Sequence, residues 1–128
     1  MRVDSVVVAN DVEDVIPVGA QTVTFNGAKR DGYVNLDSVI FILDVTAQSG
    51  TTPTLDVKIQ DSCDSGVTWQ DTGIVFAQVT TTLVSVAQRS TVSLNSMIRA
   101  VCTIGGTTPN YTMRLRAVGK AKKTASTS

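Results

Sequence analysis

The stretch Ser49-Gly50-Thr51-Thr52-Pro53-Thr54-Leu55-Asp56-Val57-Lys58-Ile59-Gln60 decides how the chain is read, because its central phrase returns at Gly106-Thr107-Thr108-Pro109. The first copy follows Val39 to Ala47 and leads into Leu55 to Ile59. The second follows Met97 to Ile104 and leads into Tyr111-Thr112-Met113-Arg114-Leu115. Glycine accepts positive φ, while proline fixes φ and carries no N–H. Each phrase therefore reads as a strand-to-strand hairpin turn, one built on Gly50 and Pro53 and the other on Gly106 and Pro109. Two such hairpins predict an all-β domain.

Working outward, alternation supports the strands. Leu55, Val57 and Ile59 are predicted to point inward and Asp56, Lys58 and Gln60 outward. Val39, Phe41, Leu43, Val45 and Ala47 share one face, and Ile40 and Ile42 extend the apolar character to the other before Asp44 and Thr46 make it polar. In the last strand Tyr111, Met113, Leu115 and Ala117 face in, while Thr112, Arg114 and Arg116 face out. Shorter extended pieces occur at 21–25, ending on the turn signal Asn26-Gly27, and at 33–36, 67–72, 74–80 and 83–86. Residues 88–96 are polar and read as a loop. This gives about eight short strands and no helix, the pattern of an antiparallel β-sandwich or jelly roll. The expected division is an extended N-terminal arm at 1–20, part of which can pair as an edge strand, a sandwich domain at 21–119, and a flexible basic tail at 120–128.

Composition narrows the chemistry. At 128 residues the chain is long enough for one domain with a sizeable core. It has no histidine, which removes Ser-His-Asp, Cys-His and His-metal sites made within one chain. Its two cysteines, Cys63 at a predicted turn and Cys102 in a predicted strand, have no metal-like spacing and are expected as thiols rather than a disulfide. The apolar run Val6-Val7-Val8-Ala9 is too short to export or to span a membrane, so a soluble product of the cytoplasm is expected. Net charge is zero but unevenly placed. All eleven acids lie in 1–71 with four bases, whereas 72–128 holds seven bases and no acid. Such a split either cancels between strands of one sheet or favours association of copies through complementary potentials.

Ser62-Cys63-Asp64-Ser65-Gly66-Val67-Thr68-Trp69 matches the S-x-D-x-G-x-T-W pattern of the Asp box found in sialidases and other β-proteins. An aspartate can accept backbone N–H bonds inside a tight turn, glycine supplies the unusual φ, and the tryptophan packs on the turn. The set Ser62, Asp64, Gly66, Thr68 and Trp69 thus marks a structural hairpin, and a single box says nothing of sialidase activity. Asp56 and Asp61, on or near an outward face, show no opposed geometry for a glycosidase pair. The acidic cluster Asp11, Glu13 and Asp14 lacks a calcium-loop spacing, and Lys120, Lys122 and Lys123 lack the aromatic neighbours of a nucleic-acid site. Both clusters are candidate partner contacts. Trp69, Tyr33 and Tyr111 are the candidate sugar-stacking residues, with core packing the favoured role. No metal or cofactor site is expected.

From Val39 to Gly119 the chain resembles small β-sandwich structural proteins of tailed bacteriophages. The likeness rests on an apolar strand, the SGTTPTLDVKIQ stretch, the D-x-G-x-T-W turn and the ending IRAVCTIGGTTPNYTMRLRAVG. The resemblance implies a capsid decoration (cement) protein at the virion surface, binding across major capsid subunits. A homo-oligomer, a dimer or trimer, is expected, since one sheet face or swapped arms can supply a standard interface of roughly 800 Å² per partner. From the residues, no enzyme activity and no membrane segment are expected, and nucleic acid is not the expected partner. The alternative functions are a carbohydrate-binding module and a head–tail or tail structural component.

Overall fold

A computed structural model describes residues 10–90 and 93–121. It is all-β. Among the described residues there are six strands: β1 (Asn10–Gln21), β2 (Phe25–Asn26), β3 (Leu36–Ser62), β4 (Gln70–Val75), β5 (Leu83–Arg89) and β6 (Met97–Ala121). One 3-10 turn, Tyr33–Asn35, precedes β3. All strands belong to one antiparallel sheet.

The two long strands β3 and β6 are its frame. They pair along their whole length, from Leu36 opposite Ala121 to Ser62 opposite Met97. The first part of β3 and the last part of β6 are flanked by β5 and β1, and the remaining parts by β4 and β2. The strand order is therefore β1-β6-β3-β5 across one part of the sheet and β2-β6-β3-β4 across the other. Six strands stand where eight short ones were expected, because each GTTP lies inside a strand and does not end one.

That overturns the hairpin assignment of Gly50, Pro53, Gly106 and Pro109. Neither phrase reverses the chain. The two phrases meet each other instead, with Thr51 opposite Thr107 at a register irregularity. Gly50 (φ 113°) and Thr52 (φ 47°) are mirrored by Gly106 (φ 105°) and Thr108 (φ 47°). A Cβ on Gly50 would lie 2.7 Å from the Thr108 carbonyl oxygen, and one on Gly106 would lie 2.7 Å from that of Thr52. Each glycine thus makes room for the other strand's Thr-Pro backbone, giving a local two-fold crossing. Positive φ at a β-branched residue costs on the order of 1–3 kcal/mol, so flanking ladders on both sides must hold the crossing in place.

Alternate side chains of both parts form one core. Val39, Phe41, Leu43 and Val45 in β3, Leu55, Val57 and Ile59 beyond the crossing, and Ile98, Ala100, Cys102, Tyr111, Met113, Leu115 and Ala117 in β6 are all buried together. Ala47, expected to share the face of Val45, is exposed. An irregularity between Val45 and Ala47 inserts a residue and flips the alternation. Asp61, expected on or near an outward face, is buried and accepts bonds from the Asn95 backbone N–H and Nδ2, both at 3.0 Å.

The expected arm is partly core. Residues 10–21 form an edge strand, with Val15 and Ile16 buried. Tyr33 stacks on Phe41 with ring centres 6.3 Å apart, and its hydroxyl donates to Glu13 at 2.7 Å. At the other end Lys120 and Ala121 belong to β6, while residues 1–9 and the tail with Lys122 and Lys123 lie outside the described residues. Among the described residues no helix is long and apolar enough to cross a membrane.

Candidate functional site

Three places carry the residues singled out by the sequence. The first is the Asp-box turn between β3 and β4, which pair antiparallel through Asp61 and Gln70. Ser65 (φ 62°) and Gly66 (φ 86°) turn the chain. The Ser62 hydroxyl donates to Asp64 Oδ1 at 2.7 Å and accepts the Gly66 N–H at 2.9 Å. Asp64 Oδ1 also accepts the Thr68 N–H at 2.9 Å, and its Oδ2 accepts the Thr68 hydroxyl. Donors around both oxygens stabilise the charged carboxylate and hold its pKa at about 2, below the usual carboxylate range.

Trp69 leaves this turn half-buried. The Arg99 guanidinium lies over its ring, 4.5 Å from the centre, and Arg99 Nε donates to Gln60 Oε1 at 3.0 Å. Lys29 also reaches the turn, at Gly66. A Cβ placed on Gly66 would sit 2.7 Å from Lys29 Cδ and 3.3 Å from both Lys29 Nζ and Trp69 Cζ2. Neither cation was singled out in the sequence, since Lys29 and Arg99 are 70 positions apart. The bridge between Arg30 and Ile98 brings the Lys29 loop beside β6.

The second place is the outward face of β1, β6, β3 and β5. Register aligns Val12, Val118, Ile40 and Arg89 in one row, and Asp14, Arg116, Ile42 and Ala87 in the next. Val12 is 63% exposed. Arg114 pairs with Asp14 at 3.2 Å and Arg116 with Asp44 at 3.1 Å. Asp44 is the most shielded of these four, and its Oδ1 accepts the Ser85 N–H at 2.7 Å. The charge split between the ends of the chain is thus partly cancelled between neighbouring strands.

The third place is the pair of terminal clusters. β1 and the end of β6 are adjacent, with Asn10 opposite Lys120 and Asp11 opposite Gly119. The structure divides the acidic cluster. Glu13 turns under Tyr33, Asp14 is ion-paired, and for Asp11 only its place in β1 is described. Lys120 is exposed.

The aromatic candidates separate in the same way. Tyr33 and Tyr111 are wholly buried, and the Tyr111 hydroxyl donates to the Val79 carbonyl at 2.9 Å. Neither can stack on a sugar, and Arg99 occupies one face of Trp69. Both cysteines are free thiols. Burial pushes Cys102 up to about 12, which suppresses its thiolate, whereas Cys63 is exposed on the turn. A small depression of about 150 Å³ beside the crossing, lined by Ala47, Gln48, Ser49, Asn110 and Thr112, is well below the usual size of a ligand pocket. No protein-family model matches the chain, and no curated protein matches it.

Proposed function

We propose that this chain is a structural virion protein, a decoration protein of a tailed-phage head that binds across major capsid subunits and stabilises the shell. The observation that carries the reading is the outward face of β1, β6 and β3. An apolar row of Val12, Val118 and Ile40, continued by Ile42, lies beside the ion pairs Asp14–Arg114 and Asp44–Arg116. An apolar centre with a polar margin suits a protein partner. The sequence resemblance from Val39 to Gly119 supplies the class of partner.

We infer further that the sheet folds at the GTTP crossing into two layers, as in a sandwich or jelly roll. Supporting this, both parts of the sheet contribute their inward residues to one core. A many-copy shell component gains from such a frame, and a dimer or trimer is within reach of a standard interface of roughly 800 Å² per partner. The test is co-sedimentation of the purified protein with empty capsids. Saturable binding, abolished by Ile40→Asp together with Val12→Asp, is the expected result. A protein that stays monomeric and remains in the supernatant contradicts the reading. A carbohydrate-binding role is the weaker alternative, since two of its three aromatic candidates are buried and the third is covered on one face.

A further inference from the structure

The strand pairing divides the chain into two halves. Residues 10–62 hold β1, β2 and β3, and residues 70–121 hold β4, β5 and β6. Every ladder and both isolated bridges join one half to the other: β1 and β2 pair with β6, β4 and β5 pair with β3, and β3 pairs with β6. Among the described residues no strand pairs inside its own half. The ion pairs Lys58–Asp71, Arg114–Asp14 and Arg116–Asp44 cross the same divide. The halves are also alike. A shift of 56 positions, the spacing of Gly50 and Gly106, turns the pair Gln48–Tyr111 into Ile104–Leu55. The flanks repeat less strictly, with Gln21 opposite Tyr111 as Val79 is opposite Leu55.

We propose that a second copy of this chain is a partner of the fold through exchange of halves: residues 10–62 of each copy pair with residues 70–121 of the other. The exchange keeps every ladder and every ion pair between halves, because each half meets the same surface on the second chain. What it changes is the connection, residues 63–69. Closed, this Asp-box turn folds β4 back on β3 with Ser65 and Gly66 at positive φ, fastened by Ser62, Asp64 and Thr68. Opened, the same residues reach about 23 Å, enough to pass from one copy to the next. Cys63, Asp64, Ser65, Val67 and Thr68 are exposed, so the turn opens without unpacking the core. The Asp box thus acts as a latch between monomer and exchanged dimer. A short connection holds one half near the other at an effective concentration on the order of millimolar. The closed monomer therefore prevails in dilute solution. Exchange sets in when the chain folds at comparable concentration, or when the turn is kept from closing. This reading rests on strand pairing alone and holds whether or not the chain coats a phage head.

Two variants of the full chain test it, Thr51→Cys and Thr107→Cys, each carrying Cys63→Ser to remove the exposed thiol, while Cys102 stays buried. Positions 51 and 107 face each other across the crossing, and they belong to different chains only after exchange. The two proteins are unfolded together, refolded as a mixture at about 1 mM under reducing conditions and then oxidised. Mass spectrometry of the digest should show a disulfide between position 51 of one variant and position 107 of the other. The same proteins refolded apart and mixed afterwards should show none. A third variant, lacking residues 64–67, has too short a connection to close and should sediment as a dimer with the native circular dichroism spectrum. No 51–107 link after joint refolding, or an equal yield from proteins mixed already folded, overturns the exchange. So does a folded monomer of the deletion variant, and if that variant fails to fold, joint refolding decides alone.

Discussion

At the scale of single residues, the crossing and the Asp-box turn carry the sharpest consequences. Gly50→Ala and Gly106→Ala each force a Cβ against a carbonyl oxygen at 2.7 Å while keeping a positive φ. Each should lower unfolding free energy by about 3 kcal/mol in urea denaturation. Gly73→Ala is the control, because it also has positive φ but open space around it, and it should cost only about 1 kcal/mol. Equal losses at all three would remove the close-approach account. Asp64 gives a pH signature. Its folded pKa of about 2 lies below the ordinary 3.8, so its stabilisation is complete above about 4 and is lost as pH falls through about 2. Melting temperature measured from pH 5 to pH 2 should therefore drop in the native chain across that window, and the Asp64→Asn variant should lack this component. The turn was legible from Ser62, Asp64, Gly66, Thr68 and Trp69 because its hydrogen bonds are local. Arg99 over Trp69 and Lys29 at Gly66 were not, since both placements depend on pairing between distant segments.

At the scale of elements, the inward faces of β3 and β6 followed from alternation, as Leu55, Val57, Ile59, Tyr111, Met113, Leu115 and Ala117 show. Connectivity did not. Glycine and proline mark a break in regular backbone but do not say whether the chain reverses, and long-range pairing decides that. The repetition of GTTP was the available signal, since two identical distortions in antiparallel strands can accommodate each other. A Thr51→Cys, Thr107→Cys double variant tests the crossing. Directly opposed residues in an antiparallel pair have Cα atoms about 4.5–5.5 Å apart, within reach of a disulfide. Oxidation should link the two positions in the monomer, as read by mass spectrometry of the digested protein. Two separate hairpin turns would leave both thiols free. β1 was also only half legible, because Pro17, Gly19 and the acids around Val12 obscure its inward residues. Ile16→Ala should cost about 2–4 kcal/mol if β1 closes the core, and almost nothing if residues 10–21 are an unpacked arm.

At the scale of the whole molecule, the frame of two long paired strands carries the proposed partner surface on its outward face. That surface is the apolar row of Val12, Val118 and Ile40. Charge supports the same view. The ion pairs Asp14–Arg114 and Asp44–Arg116 neutralise part of the polarity between the chain's two ends inside one sheet and lie beside the apolar row. The proposed role as a coat of a phage head makes the number of copies per particle the direct readout. Quantitative mass spectrometry of purified virions, referenced to the major capsid protein, should return copies in the hundreds, in fixed proportion to capsid subunits, as lattice symmetry requires. A ring-sized count of about six or twelve would place the chain at the head–tail junction or in the tail, and its absence from the particle would contradict the account altogether.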